Sequence, residues 1–96
     1  MADAFNAIRQ ERVPVPVANS WVEVIIPVGS RNALIGIEDP NESFRLSYDN
    51  TLDPLSDGIF VSSGGFYFME GVNSIPLTFY LSVTGITNII LQYTNE

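Results

Sequence analysis

The chain has no cysteine and no histidine, and its four cations are all arginines, Arg9, Arg12, Arg31 and Arg45, so it has no lysine either. Without cysteine, neither a disulfide nor a thiolate-bound metal can reinforce the fold. Without histidine, a Ser-His-Asp arrangement is excluded and the side chain that most often moves protons near neutral pH is missing. Without lysine and cysteine, the amine and thiol nucleophiles are missing as well. Carboxylates are numerous enough for a glycosidase-like pair, but 96 residues leave little room for a substrate cleft. An enzyme is not expected, and no cofactor is implied.

Charge is scarce and one-sided. Charged residues make up 16% of the chain, against about 25% in an ordinary globular domain. Eleven acidic residues against four arginines give a formal net charge of -7. Such a surface repels phosphate backbones and anionic membranes, so neither nucleic acid nor membrane is an expected partner. No run approaches the roughly 20 apolar residues that span a bilayer. Met1 to Phe5 has neither the basic nor the apolar part of a secretory signal, and none is expected.

What is present is apolar and periodic. Hydrophobic residues reach 46%, and they alternate. Val22, Val24, Ile26 and Val28 share one face, with Trp21, Glu23 and Ile25 on the other. Ala33, Ile35 and Ile37 form a second set; Phe44, Leu46 and Tyr48 a third; Leu77, Phe79, Leu81 and Val83 a fourth. Turn signals separate them at Asp39-Pro40-Asn41, over residues 49–58 and at Ser62-Ser63-Gly64-Gly65. About seven short strands at this spacing predict an all-β fold, a single small antiparallel β-sandwich or barrel of Greek-key or jelly-roll-like form.

The N-terminus reads differently. Ala4, Phe5 and Ile8 make a short apolar stripe suited to one or two helical turns, followed by Val13-Pro14-Val15-Pro16-Val17, whose alternating prolines favour an extended backbone. The expected organisation is an N-terminal arm over residues 1–18 and a sandwich over residues 19–96. Deleting residues 1–17 is expected to leave the sandwich folded.

Two features invite a chemical reading. The loop from Asp49 to Asp57 gathers oxygen ligands suited to calcium, but its spacing is not that of an EF-hand, and Asp, Asn and Pro are good turn formers in their own right. Phe66, Tyr67, Phe68, Phe79 and Tyr80 form an aromatic cluster that could stack on sugars. The expected role is core packing, with Phe66 and Phe68 on one face and Tyr67 and Met69 on the other, and with Trp21 as a further core anchor.

One stretch resembles a known family. Arg31 to Ile37, the strand Ser43-Phe-Arg-Leu-Ser-Tyr-Asp49, Gly58-Ile59, Gly64-Gly65 and the closing run Ile89-Ile-Leu-Gln-Tyr93 resemble the small β-sandwich auxiliary proteins of tailed bacteriophage virions, particularly head decoration or cement proteins. The resemblance covers about Trp21 to Tyr93. It implies a structural protein on the outer surface of the capsid, made in the bacterial cytoplasm, that bridges neighbouring major capsid subunits. It also implies homo-oligomers, a trimer among them, at capsomer junctions. Phe5, Ile8, Val13, Val15 and Val17 are the expected apolar contacts of the arm with the coat protein, with Arg9 and Arg12 pairing coat-protein carboxylates. The alternative is a tail- or fibre-associated adsorption module that recognises host glycan through exposed aromatics.

Overall fold

The computed structural model of the chain describes residues 8–70 and 77–95. Eight strands lie within them: β1 (Ile8–Pro14), β2 (Trp21–Ile26), β3 (Ser30–Ile37), β4 (Phe44–Ser47), β5 (Ile59–Val61), β6 (Tyr67–Glu70), β7 (Leu77–Val83) and β8 (Asn88–Asn95). They form two antiparallel sheets, β1-β8-β3-β6 and β2-β7-β4-β5. No described residue is helical.

The pairing has a simple order. β1 pairs with β8, β2 with β7, β3 with β6 and β4 with β5. The chain is therefore one long hairpin whose tip is the β4–β5 loop. It is rolled so that β3 also meets β8 and β4 also meets β7. This is jelly-roll winding, in which two Greek keys close around one core.

The core lies between the sheets and follows the period of two. Ala33, Ile35, Ile89, Leu91 and Tyr93 point inward from the first sheet. Val24, Phe44, Leu46, Phe79, Leu81 and Val83 meet them from the second. The chain has no cysteine, so no disulfide supplements this burial, and a packed layer of branched and aromatic side chains is the main source of stability. Gly58 shows how tightly the tip is drawn in. Its φ is 91°, and a Cβ there would sit 2.7 Å from the Leu46 carbonyl oxygen, so only glycine lets the long loop re-enter the sheet as β5.

The N-terminal segment departs from expectation. Residues 8–14 are a strand of the sandwich, paired in register with β8 from Ile8↔Thr94 to Pro14↔Asn88. Val15 continues into the core at 1% exposure, and its N–H donates to the Thr87 carbonyl at 2.9 Å. A boundary at residue 18 would cut through this sheet, so the sandwich begins at least as early as Ile8. The strand count rises from about seven to eight for the same reason. The prolines permit this because Pro14 lies at the strand's end, on an edge strand, where a missing N–H costs no ladder bond. Truncation after residue 17 would strip the edge from β8 and remove Val15 from the core. Residues 1–7, and Phe5 with them, lie outside the described residues.

Candidate functional site

No group of three or more Asp, Glu, His or Cys stands close enough to hold a metal among the described residues. The acidic loop uses its carboxylates on its own backbone. Asp49 Oδ1 accepts from the Thr51 N–H at 2.9 Å and from its hydroxyl at 2.6 Å. Asp53 Oδ1 accepts from the Leu55 N–H, and Asp57 Oδ2 from the Asp53 N–H. The Asp49 and Asp53 contacts are Asx turns, as turn-forming aspartates commonly make, and the Asp57 carboxylate closes the loop back onto Asp53. Thr51 holds the Asp49 carboxyl below its ordinary value, because both bonds favour the charged form.

The loop instead covers the outer face of the second sheet. Trp21 Nε1 on β2 donates to the Leu52 carbonyl at 2.9 Å, and Ser82 Oγ on β7 donates to the Pro54 carbonyl at 2.7 Å. Arg45 Nη1 on β4 donates to the Ser56 carbonyl at 3.2 Å, while its guanidinium lies 5.0 Å above the Phe60 ring. Three outward donors on three strands thus hold three alternate carbonyls of the loop. Trp21 is accordingly not a core anchor: it is half-buried and points outward. The covering is incomplete on its solvent side, where Leu55 is 63% and Phe60 54% exposed.

The outer face of the first sheet has no such cover among the described residues. Phe66 and Phe68, expected in the core, are 64% and 52% exposed. The pairs Phe66/Phe68 and Tyr67/Met69 do alternate, but Tyr67 and Met69 are the ones packed on the core. Only Phe79 of the aromatic cluster is fully buried. Beside the two phenylalanines run two shallow grooves of about 270 and 200 Å³. Leu34 and Gln92 line both, Gly36 and Ile90 the first, Asn32 and Thr94 the second.

The expected arm contacts are scattered by the fold. Val15 is core and unavailable to any partner, and Val13 is half-buried against the core. Arg12 forms an ion pair within the chain, Nη2 to Glu38 Oε2 at 3.4 Å, in place of the anticipated coat-protein carboxylate. Ile8 is placed by its backbone opposite Thr94. Arg9 and Val17 remain exposed, at opposite ends of the segment. Arg9 borders a cleft of about 660 Å³ with Glu11 and Tyr93. There Tyr93 donates its hydroxyl to Glu11 Oε2 at 2.9 Å, and burial, followed by that bond and the Glu11 charge, pushes its pKa up. Ile8, Glu70, Leu77 and Asn95, from which the undescribed segments continue, all lie toward this end of the sandwich.

The structure therefore brings together residues far apart in the chain: Leu34, Phe66, Phe68 and Ile90 on one side, Leu55 and Phe60 on the other. An outward-facing apolar pair on an edge strand is the signal that could have found the first. No family model, no curated protein and no solved structure matches the chain.

Proposed function

We propose that this chain is a structural virion protein, a decoration or cement protein that binds the outer surface of a phage head and bridges neighbouring major capsid subunits. The observation that carries the reading is the pair of sticky outer faces. Phe66 and Phe68 protrude from one side of the sandwich and Leu55 and Phe60 from the other. A bridge needs two contact surfaces on one rigid body, and these lie back to back, the Leu55 and Phe60 side for a coat subunit and the Phe66 and Phe68 side for a coat subunit or a second copy of this chain. The resemblance to small virion proteins points the same way. Affinity arises from apolar burial, and many copies on a shell make modest single-site affinity sufficient. The fold itself is neutral on this point, because jelly rolls serve many functions.

A second reading draws on one specific observation. Two neighbouring exposed aromatic rings flanked by the side-chain amides of Asn32 and Gln92 make a surface on which a sugar could stack, as an adsorption module for host glycan requires.

The deciding experiment adds the purified protein to heads of the encoding virus that lack it and images them by cryo-electron microscopy. Density at fixed capsomer junctions, together with higher heat resistance of the particles, is the expected result. Density confined to the tail, with binding on a glycan array, would replace the cement reading by the adsorption module.

A further inference from the structure

We propose that the outer face of the first sheet, uncovered among the described residues, is a self-association surface, on which a second copy of this chain stacks face to face about a two-fold axis running parallel to the strands. The order of residues across that face suits such a pairing whether or not the chain belongs to a virion.

Register places the outward side chains in rows. One row crosses the sheet as Arg12, Ile90, Gly36 and Phe66, the next as Gln10, Gln92, Leu34 and Phe68. Each row runs from a polar side chain at β1 to a phenylalanine at β6. A two-fold axis parallel to the strands reverses the order of strands while keeping the rows level, so each row meets itself end to end. Phe66 then lies over Arg12 of the second copy, where a ring on a guanidinium is favourable. Phe68 lies over Gln10, and Leu34 over Gln92. Ile90 lies over Gly36, the one position in the row without a side chain. A bulky residue thus faces a gap, and a ring faces a flat polar group, in both directions at once. Such self-complementarity is what an isologous interface requires. Sheets stack about 10 Å apart with strands crossing at roughly 30°, which keeps neighbouring rows in reach.

Charge selects the same occupant. Among the described side chains on this face, Arg12, Glu38 and Glu70 are charged, and Arg12 and Glu38 already pair with each other, so the face carries only about one of the chain's net -7 charges. The excess negative charge lies elsewhere, so a second copy can approach here with little local repulsion. Area sets the strength. Four strands spaced about 4.8 Å apart and about five residues deep give a face of roughly 300 Å² in projection. Two stacked faces thus give roughly 600 Å² before side-chain relief is added, on the weak side of the ~1,000 Å² lower bound for specific interfaces. The pair is therefore a reversible dimer. It presents Leu55 and Phe60 of each copy on opposite outer sides, leaving those loop faces free for other contacts.

Sedimentation velocity of the full chain from micromolar to millimolar concentration, at low and at high sodium chloride, tests the inference. The wild type is expected to pass from monomer to dimer as concentration rises, and at lower concentration in high salt, because salt screens the mutual repulsion of two acidic molecules. Gly36→Val is expected to remain monomeric. Its Cβ meets nothing nearer than Phe66 Cβ at 4.0 Å, so the variant folds while filling the gap that Ile90 needs. Phe66→Ser combined with Phe68→Ser is expected to remain monomeric as well, with an unchanged circular dichroism spectrum. A wild type that stays monomeric throughout would overturn the inference and leave the face to a different partner. Dimers that survive in both variants, or that dissociate on adding salt, would overturn it too.

Discussion

The two outer faces of this sandwich are built on the same backbone principle and end in different states. On the second sheet, Trp21, Arg45 and Ser82 stand outward on three adjacent strands, and the long β4–β5 loop lays the carbonyls of Leu52, Pro54 and Ser56 onto them. On the first, the outward positions carry Leu34, Phe66, Phe68 and Ile90, and no described segment crosses above them. The difference shows what covers a sheet. A loop brings peptide groups that must remain hydrogen-bonded, so it settles where side chains can donate to its carbonyls. Leucine and phenylalanine cannot do this. They are left uncovered among the described residues.

That contrast can be broken experimentally, beginning with the layer the faces share. Phe79 is fully buried between the sheets, and Phe79→Ala should lower stability by about 3–5 kcal/mol. Urea unfolding measures this, and an unchanged midpoint would mean that the two sheets do not pack as described. Next comes the covered face. Ser82→Ala removes the hydroxyl that donates to the Pro54 carbonyl beneath the loop, with an expected loss of about 1–2 kcal/mol. The matching change on the bare face, Phe66→Ser with Phe68→Ser, should shift monomer stability by less than about 0.5 kcal/mol, as for other exposed positions. If the bare face proved the costlier of the two to alter, the assignment of cover would be reversed.

The smallest expected effect is on pH. The Asp49 carboxyl is held below its ordinary value by Thr51, so its contribution to the loop is present at neutral pH and is lost as the solution is acidified through that lowered value. The single tryptophan, Trp21, donates to the loop at Leu52 and so reports on it. Its emission should change on acidification before far-UV circular dichroism does. Coincident changes would mean that the loop does not open separately from the sandwich.

Much of the fold was legible in the chain. Phe44, Leu46, Phe79, Leu81 and Val83 alternate with polar residues, and each lies inward as the pattern requires. Phe66 to Met69 was legible only by halves. Both alternating pairs are apolar, so the period of two says which residues share a face without saying which face is inside. Trp21 was misplaced for the same reason: its size suggests the core, but its neighbour Val22 takes the inward side. The segment before residue 18 was read as an arm because prolines at 14 and 16 suggest an extended linker. Its partner β8 lies about eighty residues away, and no local signal announces a pairing at that distance. The sites expected on that arm dispersed along with it.

By itself, the sequence determined the fold class, the punctuation between strands and the absence of cysteine, histidine and lysine chemistry. These depend on composition and on local periodicity. Only the tertiary structure decided that Ile8–Pro14 closes the first sheet, that Phe66 and Phe68 face outward, and that one outer face is covered while the other is bare among the described residues. Each of these depends on which distant strand or loop reaches a given face. That is settled by pairing and packing across the whole chain, because burial is a property of neighbours and not of the residue alone.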